Sequence, residues 1–262
     1  MISIESKDNN LFKETKKLKE RKGRNKKSKY IIEGYRLVEE AFKAKVSIDY
    51  VFVDDDGEIK IQDYIKKYNL ENMKIYKLAN NLVKELASTE NPQGIIAVAN
   101  MKPLDISLEG SFYLLCDKVQ DPGNLGTIIR SCHAAGVDGI ILTKGTVDVY
   151  NEKTLRSTMG SIFYIGITYD DEELSIIKKL KSKGFSLVST SLQESNNLYD
   201  EDLSEKVIVC VGNEGNGVSD QVFEMSDKKV KIPMPGSAES LNVAIATSII
   251  LFEKVRQNQL KK

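Results

Sequence analysis

The chain has little of what metal or disulfide chemistry needs. Its 262 residues include three cysteines, Cys116, Cys132 and Cys210, and one histidine, His133. No cysteines form a C-x-x-C pair, so no four-ligand zinc site can be assembled at a standard spacing. Unpaired thiols point to a reducing cytoplasm. Long apolar runs are missing too. The longest, Val243 to Phe252, is interrupted by Thr247 and Ser248 and reaches about half of what a bilayer span requires. Met1 to Asn10 is polar, so no secretory leader is expected there. Net charge is also absent, with 38 basic residues against 38 acidic.

What is present is unevenly placed. Ten Lys/Arg and two Glu fall between Lys13 and Lys29, leaving an acidic excess elsewhere. Lys16, Lys17, Lys19, Arg21, Lys22, Arg24, Lys26, Lys27 and Lys29 thus form a basic arm, a density that suits phosphate and hence nucleic acid; the alternative is a solvated helix face. At 41% hydrophobic and 29% charged, with 17 Gly and 5 Pro, the composition is that of a globular protein with real cores. No internal repeat is evident.

Residues 1–100 alternate helical and extended patterns and predict a small α/β domain: a helix near Glu33 to Ala44, a strand Tyr50 to Val53, a turn Asp54 to Gly57, a helix Ile61 to Tyr68 and a strand Ile95 to Ala99. Residues 101–110, MKPLDISLEG, lose both periods and read as a linker. Residues 111–262 resume a regular rhythm. Strands are expected at Phe112–Cys116, Gly139–Leu142, Tyr164–Thr168, Phe185–Ser189, Val207–Val211 and Lys229–Ile232. Helices are expected from Asn124, near Glu152–Thr158, at Glu172–Ser182, after Ser219, and from Leu241 to Arg256. That alternation implies a mostly parallel sheet, whose ligands bind beyond the carboxyl ends of the strands.

Three loops at those ends stand out. In Asp117 to Cys132, Pro122 and Gly123 make a turn and Asn124 can cap a helix. On its wheel Leu125, Ile128, Ile129, Cys132 and Gly136 share one face, with Arg130 roughly opposite. In Val211 to Ser219, Gly212, Gly215 and Gly217 permit close backbone approach to a ligand. Neither the Rossmann nor the Walker A order of glycines is met there. In Lys231 to Glu253, two prolines and a glycine lead to Ser240, Leu241 and Asn242 at the entry of an almost wholly apolar helix. Read alone, Arg130 is a surface arginine, and Ser240 and Asn242 are capping residues.

Together the three loops resemble the signature motifs of the SpoU (TrmH) family of RNA ribose methyltransferases, in the SPOUT superfamily. N-x-G-x-x-x-R is met by Asn124, Gly126 and Arg130. Gly-x-Glu-Gly-x-Gly is met by Gly212, Glu214, Gly215 and Gly217. I-P-M-x-G followed by S-L-N is met by Ile232, Pro233, Met234, Gly236, Ser240, Leu241 and Asn242. Asn151 to Gly160 is similar to the family segment between the first two motifs. Ile31 to Ala41 and Asn91 to Ala99 more loosely resemble the ribosomal-protein-like RNA-binding domain that precedes the catalytic domain in such enzymes.

The resemblance implies an α/β trefoil-knot domain at 111–262, obligate homodimerisation and S-adenosyl-L-methionine as cofactor. It implies methyl transfer to a ribose 2′-hydroxyl, with ribosomal RNA ahead of transfer RNA. Thr190, Ser191, Gly212, Asn213, Gly217, Ile232, Met234 and Leu241 would bind the cofactor. Asn124, Arg130, Glu214, Ser240 and Asn242 would be catalytic. Arg130, as a guanidinium that stays protonated, is expected to clamp a phosphate and orient the hydroxyl, with Glu214 bracing its loop. The competing readings are a catalytically silent RNA-binding assembly factor and a small-molecule-binding α/β protein with an incidental basic tail. No metal or membrane is expected, and His133 is an incidental flank.

Overall fold

Strands with both faces covered read as continuous apolar runs, and the N-terminal half of the chain is built on them. In the computed structural model, which describes residues 1–191 and 195–260, the chain forms two units: Met1–Pro103 with Asp148–Phe163, and Leu104–Val147 with Tyr164–Lys262.

The first unit runs β1 (Ile2–Ile4), α1 (Asn10–Lys17), α2 (Arg21–Lys27), β2 (Lys29–Glu33), α3 (Tyr35–Lys43), β3 (Ile48–Val53), α4 (Asp55–Tyr68), β4 (Ile75–Leu78), α5 (Asn80–Leu86) and β5 (Ile95–Asn100). Its sheet has the order β1-β4-β3-β5-β2. Alternate residues of each strand feed two separate cores. Ile32, Val51, Val53, Ile95 and Ala97 pack with α3 and α4. Ile31, Tyr50, Phe52, Ile96 and Val98 pack with Phe12, Leu18, Leu82 and Leu86. The expected turn at Asp54 to Gly57 is instead the first turn of α4, because Asp54 Oδ1 accepts from the Gly57 amide at 2.9 Å and caps the helix.

The basic stretch is part of this unit's architecture. Asn9 caps α1, its Oδ1 accepting from the Leu11 and Phe12 amides at 2.9 and 3.3 Å. Arg24 is 3% exposed. Its guanidinium donates to Asp148 Oδ2 at 2.6 and 3.0 Å and to the Leu18 and Lys19 carbonyls at 3.0 and 2.8 Å. Lys19 caps the end of α5 by donating to the Leu86 and Ala87 carbonyls. Lys16 pairs with Glu85, Lys27 with Glu14 and Lys29 with Asp49. Lys17, Arg21, Lys22 and Lys26 are exposed and have no such partner among the described residues.

The second unit runs β6 (Phe112–Cys116), α6 (Pro122–Ala135) and β7 (Gly139–Leu142). The next helix, α7 (Glu152–Thr158), belongs to the first unit. The second unit then continues with β8 (Ile167–Tyr169), α8 (Ser175–Ser182), β9 (Ser186–Thr190), β10 (Asn196–Asn197), β11 (Val207–Val211), α9 (Asp220–Glu224), β12 (Lys228–Lys231) and α10 (Val243–Leu260). The strand order is β10-β12-β9-β11-β6-β7-β8, and every pairing is parallel. α6 and α10 pack together, with the Ser131 and Ser248 hydroxyls 2.8 Å apart.

Three differences from the sequence reading have local causes. Asn151 to Gly160, expected with the C-terminal domain, packs with the first unit because Leu155 is buried among its apolar residues. The expected linker 101–110 is docked from Leu104 onward, with Ile106 and Leu108 against the second unit's core. The third is the start of α6: Asp121, not Asn124, caps it, since Asp121 Oδ1 accepts from the Asn124 amide at 2.8 Å and Pro122 fits the first turn. The three cysteines are unpaired and fully buried in β6, α6 and β11. Burial pushes each thiol above its ordinary range.

Candidate active site

The order of the second sheet turns at β6, with β7 and β8 on one side and β11, β9 and β12 on the other. Loops that leave such a point in opposite directions open a crevice at the strands' carboxyl ends. A cavity of about 410 Å³, within the range of small-molecule sites, lies on the β11 side of that point, at the carboxyl ends of β9, β11 and β12. Thr190 and Ser191 line it from the end of β9, and Gly212, Asn213, Glu214, Gly215 and Gly217 from the loop after β11. The segment from Ile232 to Ala246 completes it with Met234, Ser240, Leu241 and Asn242. All eight residues expected to bind cofactor are among the lining.

The loop after β11 is locked by its own backbone. Asn213 and Gly217 exchange two amide–carbonyl hydrogen bonds of 2.9 Å, and Gly217 has φ +71°. Asn213 Oδ1 accepts from the Gly215 and Asn216 amides at 2.9 and 3.0 Å, while its Nδ2 donates to the Lys118 carbonyl. Its side chain therefore holds the loop and leaves its backbone to face the cavity. Gly212 plays a different part from the one its sequence suggests. A Cβ there would stand 2.1 Å from the Gly217 carbonyl carbon and 2.2 Å from the Val218 nitrogen. The glycine makes room for the loop's own return strand, not for a ligand.

Glu214, Asn124 and Asn242 form a relay. The Glu214 carboxylate accepts from the Gln120 amide at 3.1 Å, the Asp121 amide at 3.0 Å and Asn124 Nδ2 at 3.0 Å. With its amide nitrogen so committed, Asn124 presents Oδ1, which accepts from Asn242 Nδ2 at 2.9 Å. Asn242 Oδ1 in turn accepts from the Ala244 and Ile245 amides at the start of α10. Each amide's orientation is thus fixed by the next partner along. Partial burial pushes the Glu214 carboxyl up, but the Asn124 amide and the Gln120 and Asp121 N–H groups outweigh it and hold the group below the usual glutamate range.

Arg130 is exposed on α6, has no hydrogen-bond or ion-pair partner among the described residues, and is not part of the cavity wall. Ser240 is exposed at the cavity. His133 stacks on Tyr164 with ring centroids 5.3 Å apart, outside the site. Sequence reasoning missed Val230, Lys231, Val243 and Ala246 in the lining. The signal was partly available: Lys231 and Val243 adjoin Ile232 and Asn242, while Val230 lies two residues before Ile232 and Ala246 one helical turn past Asn242.

Two family models match the chain. That of the SpoU rRNA Methylase family covers residues 111–252, and that of the MRM3-like substrate binding domain covers residues 9–97. The chain belongs to the SpoU rRNA methylase family. It is 39% identical over 253 residues to the 23S rRNA (guanosine(2553)-2′-O)-methyltransferase RlmP of Bacillus subtilis, an alignment spanning 96% of this chain and 98% of that protein. Among solved structures it resembles the AdoMet-bound rRNA methyltransferase of Sinorhizobium meliloti, with TM-score 0.85, 31% identity and 97% of each chain covered. It also resembles the SpoU methyltransferase AviRb of Streptomyces viridochromogenes in complex with AdoMet, with TM-score 0.86, 28% identity and coverage of 96% and 98%. For a SpoU protein the cavity's chemistry is apt. Val230, Ile232, Met234, Leu241, Val243 and Ala246 offer an apolar slot for a flat base, and Thr190, Ser191 and the locked loop's backbone offer polar groups around it. No cluster of potential metal ligands occurs among the described residues.

Proposed function

We propose that this chain transfers a methyl group from S-adenosyl-L-methionine to a ribose 2′-hydroxyl of ribosomal RNA. The observation that carries the reading is the Glu214–Asn124–Asn242 relay at the mouth of a cofactor-sized cavity. When bound, the cofactor supplies an electrophilic methyl on sulfonium. The chain's own residues must position the hydroxyl and dispose of its proton. Glu214 is not the base. Its carboxylate already accepts three hydrogen bonds, and it acts through Asn124 as a positioning residue. Arg130, always protonated, clamps the phosphate next to the target ribose, and a phosphate oxygen or water takes the proton. Ser240 and Asn242 hold the ribose.

The site is completed by a second copy of the chain. Arg130 lies outside its own cavity wall, while α10, packed on the same helix, exposes Ile245 and Phe252 at 53% and 48%. With the half-buried Ile249 they make one apolar stripe at helical spacing, the kind of surface a homodimer covers. A C-terminal segment threaded as a trefoil knot fits the return of residues 232–242 to the loop after β11. The basic face of the first unit, Lys17, Arg21, Lys22 and Lys26, engages RNA phosphates. Catalysis takes place in the cytoplasm, where the three thiols stay reduced.

The test is transfer of labelled methyl from S-adenosyl-L-methionine to ribosomal and transfer RNA, followed by mapping of 2′-O-methyl positions in cells with and without the gene. The nucleotide equivalent to guanosine 2553, the target of the Bacillus subtilis relative, is the first to inspect. Methylation of transfer RNA alone would reassign the substrate. Cofactor and RNA binding without transfer would make the protein an assembly factor.

A further inference from the structure

Strand β12 carries three lysines, and two of them are engaged. Lys228 pairs with the Glu201 carboxylate at 2.9 Å and donates to the Asp202 carbonyl at 3.1 Å. Lys229 lies over the Phe223 ring, 3.9 Å from its centroid. Lys231 has no hydrogen-bond or ion-pair partner among the described residues, is exposed, and lines the cavity. Among the described residues it is the only cation in that lining. The only other charged one, Glu214, is consumed by three donors on the α6 side.

An ammonium left unpaired at the wall of a partly apolar cavity favours an anionic group and repels a cation. S-adenosyl-L-methionine has a sulfonium, an ammonium and one carboxylate, so only its carboxylate is drawn to Lys231. We propose that Lys231 is a cofactor-orienting residue, pairing with the carboxylate of the methionine tail. The proposal rests on the reading of the cavity as the cofactor site. Its consequence is directional: the tail lies toward β12, and the sulfonium is held away from the lysine.

Calorimetry with three ligands tests it: S-adenosylmethionine, S-adenosylhomocysteine and 5′-methylthioadenosine, the last lacking the entire amino-acid tail. Lys231→Gln is expected to weaken the first two about tenfold, equivalent to about 1.4 kcal/mol, and to leave methylthioadenosine unchanged. Lys231→Glu should weaken them further, and Lys231→Arg should restore most of the affinity. High salt should shrink the difference between wild type and Lys231→Gln. Unchanged affinity for all three ligands overturns the proposal, and so does an equal loss for methylthioadenosine, which would place the lysine at the nucleoside. Weakened RNA binding with cofactor affinity intact overturns it in favour of an RNA phosphate. A wild-type protein that binds none of the three refutes the cofactor-site reading itself.

Discussion

Arg130 and Glu214 occupy opposite situations, and their substitutions should part accordingly. Arg130 has no polar partner among the described residues, so Arg130→Ala should change stability by no more than about 0.5 kcal/mol and leave cofactor affinity intact, while single-turnover methyl transfer falls sharply. Arg130→Lys retains the charge but loses the planar fork of donors. It should therefore lose most of the activity, with no recovery at high pH; a rate that rises with pH would mark the side chain as the base. Glu214 is the reverse case, a brace whose folded form is held ionised. A carboxyl lowered on folding contributes above its unfolded value and stops contributing as pH falls through the folded one. Cofactor affinity should thus stay level from about pH 8 to the ordinary glutamate range near 4.3 and decline only below it. Glu214→Gln, which leaves a backbone N–H without its acceptor, should weaken cofactor binding at every pH. Glu214 stood out in the sequence because three glycines crowd its loop, whereas Arg130, read alone, was a surface arginine and was singled out only by resemblance. The sequence could not display which atom faces which. Gly212 looked like space for a ligand, and only the backbone return of Gly217 reveals what the space is for.

The helices α1 and α2 divide the basic residues by face. Lys22 and Lys26, four apart, lie opposite Arg24 on the α2 wheel, so one side of the helix is solvent and the other is buried against Asp148. Neutralising Lys17, Arg21, Lys22 and Lys26 together as glutamines should weaken RNA binding and flatten its salt dependence, by about 0.7 to 0.9 in slope for each phosphate no longer neutralised, without moving the melting temperature. Arg24→Ala should instead cost about 3 kcal/mol, as expected when one member of a buried pair is removed, readable by denaturant unfolding. An unchanged salt slope in the quadruple variant would remove this surface from RNA recognition. Removing residues 1–29 is no substitute, because it takes Phe12 and Leu18 out of a core. Charge density hid this structure from the sequence reading. The spacing of Phe12, Thr15 and Leu18 is helical, but lysines crowd around it. β1, β4 and α5 escaped for another reason: they are short, at three, four and seven residues, and polar residues interrupt the apolar pattern of each.

For the assembled molecule, Ile245→Asp combined with Phe252→Asp should yield monomers in sedimentation and abolish transfer, since each site would lack its partner's arginine. A wild-type protein that sediments as a monomer would overturn the shared site. The parallel sheet and the C-terminal helix were legible because strand and helix periods alternate cleanly after Phe112. The placement of 148–163 with the first unit was not, because it depends on which apolar surface Leu155 meets and not on local pattern.

The three cysteines also make a clock. All lie fully buried in the second unit and none in the first, so a thiol reagent in solution can reach them only when that unit opens. The rate at which the native protein consumes Ellman's reagent therefore times excursions of the methyltransferase unit alone, without an introduced label. Ligand binding to the closed form should slow that rate in proportion to occupancy, turning silent sulfurs into a gauge of cofactor binding that needs neither RNA nor turnover.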